Sequence, residues 1–180
     1  STMIPATGRP IIIHLVLLLV LCGAAQIQAE EQSVSPGINE YYQDPDFSVW
    51  QRRFESPGRE VFDMADDIVD VLNIKPGMHI ADIGAGTGLF SRRFARRLQG
   101  SGQVYAVDIS KEFVANVLRQ SAKAGLKNVK GIVNSDKDTG LEGNSIDLAF
   151  VCDTYHHFEY PRAMLSSIHK ALRKNGRLVI

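Results

Sequence analysis

Ala81-Asp82-Ile83-Gly84-Ala85-Gly86-Thr87-Gly88-Leu89-Phe90, followed by Val104-Tyr105-Ala106-Val107-Asp108, is the stretch that decides the fold. Apolar Ile80, Ala81 and Ile83 suit a strand buried on both faces, as in a parallel sheet. Three alternating glycines then permit backbone torsions and close approaches that a Cβ would obstruct. A helix opening beyond Gly88 points unpaired N–H groups back over the turn. The second apolar run ends on the carboxylate of Asp108. Strand, glycine turn, helix and acid-ended strand, in that order, read as an adenosine-type cofactor site.

Spacing narrows the ligand. A dinucleotide-binding turn is written G-x-G-x-x-G, whereas here the glycines fall at 84, 86 and 88 and Leu89 stands where the third would be. Asp82, two residues before Gly84, is placed to face the ammonium of an amino-acid moiety, which a pyrophosphate ligand would not reward. The pattern D-x-G-x-G-x-G with a later strand ending in Asp108 resembles motif I and its successor in the class I S-adenosylmethionine (SAM)-dependent methyltransferases. That resemblance runs from about Arg59 to Ile180.

The resemblance implies SAM as cofactor and a methyl group transferred to an acceptor. It places Asp82, Gly84, Ala85, Gly86 and Gly88 around the methionine and adenosine parts, and Asp108, with Ile109 beside it, at the ribose. Two neighbouring hydroxyls offer two donors to one carboxylate, which is the physical reason for an acid there. The competing interpretation is a tight strand-to-helix turn and a solvated strand end. A nicotinamide-dependent oxidoreductase and a SAM-binding module without catalysis are the alternative functions.

The expected architecture is α/β, a Rossmann-like doubly wound parallel sheet with helices on both faces. Residues 59–73 carry apolar positions at helical spacing, and Lys75-Pro76-Gly77 leads into a strand at 79–83. Further strands are expected at 104–108, 129–133 and 146–151, with a fifth opening at Arg177. Helices are expected near 89–98, after the N-cap Ser110, and over 161–172. Compared with complete members of the resembled family, the C-terminal strands of the fold are absent.

Residues 58–180 are thus read as an incomplete SAM-binding domain, and residues 30–57 as a polar and aromatic linker or lid. Tyr41, Tyr42, Phe47, Trp50 and Phe54 either cover a cofactor cleft or staple this segment to the surface. Residues 1–29 resemble a secretory signal peptide or a membrane anchor, with an apolar run at 11–22 followed by Gly23, Ala24, Ala25 and Ala29. That reading makes the protein exported, touching a membrane only through the leader. Twenty basic and twenty acidic residues cancel, so no global field draws it to nucleic acid. Arg92, Arg93, Arg96 and Arg97 read as a solvated helix face.

The chemistry-bearing residues cluster at strand ends. The resemblance assigns Asp136, after the third strand, to the adenine amino group, with Ser135 against the ring; an Asx-turn is the other role open to Asp136. At the end of the fourth strand, Asp153 is implied near the methionine end of the cofactor. His156 or His157 is placed to take a proton from the acceptor, because imidazole titrates near neutral pH. Only one of these adjacent histidines is expected to face the cleft. Cys152 reads as a small core residue, and no metal-ligand spacing is present. The acceptor is expected to be a small-molecule or lipid-like compound.

Overall fold

In the computed structural model, which describes residues 30–180, the sheet grows from the segment that opened the analysis. Strand β1 (His79–Ile83) lies at its centre, with Ile80, Ala81 and Ile83 at or below 1% exposure. It pairs in parallel with β2 (Gln103–Asp108) on one side and β4 (Ile146–Val151) on the other. β3 (Val129–Val133) extends the sheet beyond β2, and β5 (Leu172–Val179) extends it beyond β4. The order is therefore β3-β2-β1-β4-β5, all parallel, and the direction of winding reverses between β1 and β4. Open α/β sheets leave a crevice above the strand ends at such a reversal.

Six helices accompany the sheet among the described residues: α1 (Phe47–Phe54), α2 (Glu60–Asp63), α3 (Ala65–Val71), α4 (Leu89–Arg97), α5 (Lys111–Lys123) and α6 (Pro161–Ala171). Their starts are written locally. Asp46 accepts from the N–H groups of Ser48 and Val49 at the head of α1, and Ser110 Oγ accepts from Phe113 N at the head of α5. One apolar cluster joins α3 and α4 to one face of the sheet through Val69, Leu72, Phe90, Phe94, Leu98 and Phe150. A second packs Met164, Ile168 and Ala171 of α6 against Ile83, Ile146 and Val151 on the other face. Both faces are covered, as a parallel sheet requires.

Two boundaries differ from expectation. The helix expected over 59–73 is broken at Met64 (φ −97°, ψ 10°), where Asp63 turns back to accept from Gly58 N and Ala65 begins a second piece buried against the core. β5 begins at Leu172 rather than Arg177, because Leu172 already pairs with Ile146 before the chain loops out. Asn175, at φ 70°, helps take up the extra residues before Arg177 pairs with Leu148. The leader-like sequence of residues 1–29 lies outside the described residues.

Candidate active site

A cavity of about 350 Å³ opens above the carboxyl ends of β1, β2 and β4, at the reversal of winding. Its floor is the glycine turn. Gly84 and Ala85 donate their N–H groups to Val107 O at 2.8 and 3.0 Å, which pins the turn to the end of β2. Gly84 adopts φ +72°, and a Cβ there would lie 2.2 Å from Cγ2 of Thr154 in the β4 loop. Only glycine lets those two loops close on each other.

Two buried carboxylates face this turn. Asp82, 3% exposed, accepts a 2.6 Å hydrogen bond from Ser91 Oγ of α4. Asp108, 7% exposed, accepts from Gly86 N at 2.8 Å through Oδ2 and from Ser110 N at 2.9 Å through Oδ1. Burial pushes both carboxyls up from the usual 3.8 to about 6, with the neighbouring Asp108 charge adding to the effect on Asp82. Each oxygen of Asp108 holds one backbone donor and keeps a further acceptor position.

The sequence-read residues gather here with one exception. Asp82, Gly84, Ala85, Gly86, Asp108 and Ile109 border the cavity on one side, and Ser135 and Asp136 border it beyond β3. Asp153, His156 and His157 complete it from the β4 loop. Gly88 does not border it. A Cβ at Gly88 would meet Val117 Cγ2 of α5 at 2.7 Å, so this glycine serves the close packing of α4 on α5. The Asx-turn role open to Asp136 is taken by its neighbours: Ser135 Oγ accepts from Asp138 N, and Asp138 Oδ1 accepts from Gly140 N.

Both histidines reach the cavity, where one was expected. They lie on a 3-10 turn, Tyr155–His157, whose tight pitch keeps their rings 4.3 Å apart. His156 is exposed, and His157 is half-buried with Nδ1 lacking a hydrogen-bond partner among the described residues. Burial, reinforced by the neighbouring His156, lowers the His157 pKa below the usual imidazole value, while Asp153 opposes the shift. Burial likewise pushes the Cys152 thiol up to about 11, so this cysteine stays a protonated wall residue.

The segment before the sheet adds a further wall, packed on the β4 loop. Tyr42, Trp50 and Phe54 border the cavity, with successive rings 5.0 and 5.1 Å apart. Tyr42 stands edge-on to His157 at 5.1 Å, and Asn39 Nδ2 donates to His157 O at 2.9 Å. Phe47 instead packs on Phe113, and Tyr41 is 83% exposed. Residues 31–57 thus adhere along the site through helices and ring contacts.

A methyltransferase-domain model matches residues 81–180, more than half of the chain. The chain belongs to the methyltransferase-domain family. Its fold and domain are those of the class I SAM-dependent methyltransferases. A SAM-dependent methyltransferase structure from Aquifex aeolicus superposes with a TM-score of 0.64 at 27% identity, over 72% of this chain and 69% of that one. A nocamycin O-methyltransferase from Saccharothrix syringae is 25% identical over 69% of this chain and 45% of its own length. A ubiquinone/menaquinone biosynthesis C-methyltransferase from Paraburkholderia phymatum is 25% identical over 60% of this chain and 44% of its length. The chain thus spans less than half the length of these two curated relatives, one an O- and the other a C-methyltransferase.

SAM is the cofactor of this methyltransferase, and the cavity residues suit it. The glycine cradle admits a close ligand, Asp108 keeps acceptor positions for two hydroxyls, and buried Asp82 suits a cationic partner. Several wall residues had no motif to announce them. Asn39, Arg53, Arg59 and Thr154 border the methyltransferase cavity through the packing of distant segments. Arg92 was read as solvated, yet it is 8% exposed: it bonds Thr87 O of the glycine turn at 2.7 Å and both oxygens of Glu55 at 2.9 Å. Arg93 and Arg97 pair with Asp66 and Asp70 of α3.

Proposed function

We propose that this methyltransferase alkylates a small-molecule or lipid-like acceptor, seated in the cavity against the aromatic wall and beside the paired histidines. The observation that carries this reading is the wall itself. Tyr42, Trp50 and Phe54 present apolar surface to the cavity, Tyr42 packing edge-on to His157, and the cavity's size suits small molecules. We assign Asp108 with Ile109 to the ribose, Ser135 and Asp136 to the adenine edge, and Asp82 with Gly84, Ala85 and Gly86 to the methionine-adenosine junction. Bound SAM supplies an electrophilic methyl on a sulfonium.

The protein's own tasks are then alignment, exclusion of water and management of one proton. The aromatic wall excludes water. Burial disfavours the protonated form of His157, so its imidazole is suited to accept the acceptor's proton, and the exposed His156 beside it offers an outlet to solvent. The apolar run at 11–22 supports an exported location for this chemistry. The test is a tritiated-methyl assay of the purified enzyme against separated small-molecule, lipid, protein and RNA fractions of the producing cells. Label in the small-molecule or lipid fraction is expected; label confined to protein or RNA would refute the acceptor class.

A further inference from the structure

The charged residues that border the cavity are not all matched. Asp82, Asp108 and Asp136 are assigned above to the cofactor. On the β4 loop, Asp153 is paired with Arg59, and the Glu159 carboxylate accepts from Ser33 Oγ at 3.0 Å. The remaining guanidinium, that of Arg53, has no carboxylate partner among the described residues. The acid that closes its own helix, Glu55, is taken by Arg92.

The placement of Arg53 is written in α1. Trp50, Arg53 and Phe54 stand three and four residues apart, so one face of the helix brings all three to the cavity. The Arg53 guanidinium lies 5.0 Å from the centre of the Trp50 ring, and the Trp50 and Phe54 rings are 5.1 Å apart. Apolar rings beside an unpaired planar cation are complementary to an aromatic acid: its ring lies on Trp50 and Phe54, and its carboxylate takes two parallel N–H bonds from the guanidinium. Tyr42 touches both Trp50 and His157, with ring centres 5.0 and 5.1 Å away, so a ligand held there lies within two ring contacts of the histidine turn.

We propose that the acceptor is an aromatic carboxylic acid and that Arg53 selects it by its carboxylate. This deepens the acceptor reading above and rests on it. Asp153 and Glu159 border the same cavity, so a single negative charge is accommodated better than the double charge of a phosphate monoester. Bound SAM adds a net positive charge, ammonium and sulfonium against one carboxylate, which favours an anion as its neighbour.

The experiment is isothermal titration of the full chain, saturated with S-adenosylhomocysteine, using 2-naphthoate and its neutral isostere 2-naphthamide as probes. The wild type should bind the acid about tenfold more tightly, the lower end of what a charge-assisted contact contributes, because Arg53 is exposed. Arg53→Met should lose that factor for the acid and stay within about twofold for the amide. Arg53→Lys should recover part of the difference. 2-Naphthyl phosphate should bind more weakly than the acid; tighter binding, abolished by Arg53→Met, would overturn the choice of a carboxylate. Equal binding of acid and amide by the wild type would overturn the inference and leave the aromatic seat standing, as would the equal weakening of both probes by Arg53→Met that a purely structural arginine would give. Binding of S-adenosylhomocysteine with neither naphthyl compound would overturn the aromatic seat itself.

Discussion

Single residues in this site act through what their neighbours leave no room for. Gly84 sits at φ +72° with Thr154 where its Cβ would go, so Gly84→Ala combines backbone strain with a collision. Strain alone is worth about 1–3 kcal/mol, and a lower melting temperature with at least tenfold weaker S-adenosylhomocysteine binding is expected. Adding Thr154→Gly should recover only the part due to the collision. His157 carries a different prediction. Burial and the charge of His156 both disfavour its protonated form, so the acid limb of the kcat–pH profile should fall below the ordinary imidazole pKa. His157→Gln should lower kcat by about 10²- to 10⁴-fold with cofactor binding unchanged. His156→Gln should move the acid limb to higher pH, since it removes the like charge that depresses His157. A limb that stays put would show the two rings to be electrostatically independent.

At the scale of elements, the aromatic helix α1 and the glycine turn are tied by one buried ion pair. Arg92 and Glu55 have side chains only 10% and 14% exposed, and Arg92 also holds Thr87 O. Glu55→Gln leaves the guanidinium buried without its counter-charge, a loss of about 3 kcal/mol in urea unfolding, and should weaken S-adenosylhomocysteine by loosening the turn. Glu55→Gln with Arg92→Met should be less destabilised than Glu55→Gln alone, because no orphaned charge remains. This pair also marks where sequence reading ends. The strands and their order along the chain were legible because each is a short apolar run bounded by breakers, and the buried cavity-lining residues Asp82 and Asp108 because they occupy fixed places relative to glycines and strand ends. Arg92 looked like its solvated neighbours, since nothing local reveals that a segment nearly forty residues earlier will fold over it. Arg59 and Asn39 were hidden for the same reason, and Gly88 because a glycine needed for helix packing and one needed for a ligand have the same letter and the same spacing. Leu172 continued a helical pattern, and only its pairing with Ile146 turned it into a strand.

For the molecule as a whole, the two buried acids link cofactor binding, stability and pH with a sign that can be worked out. In the unfolded chain Asp82 and Asp108 ionise near 3.8, whereas in the folded protein burial holds their protons to about 6. Between those values the native state binds more protons than the unfolded one, so their contribution to stability is complete below about 3.8 and is lost as pH rises through 6. His157 works in the opposite direction: its lowered pKa means that stability is lost as pH falls below the unfolded imidazole value. With two carboxylates against one half-buried histidine, the ligand-free enzyme should melt at a higher temperature near pH 5 than near pH 7.5. A ligand that brings an ammonium to Asp82 and hydroxyl donors to Asp108 favours the ionised carboxylates, so it must bind more tightly where they are already charged. S-adenosylhomocysteine affinity should therefore climb between pH 5 and 7.5, and titrations at pH 5.5 in buffers of different ionisation enthalpy should detect protons released from the carboxylates on binding. Affinity that is flat across this range, or proton uptake by the carboxylates, would mean that Asp82 and Asp108 stay neutral beneath the bound nucleoside and hold it as hydrogen-bond donors rather than as anions.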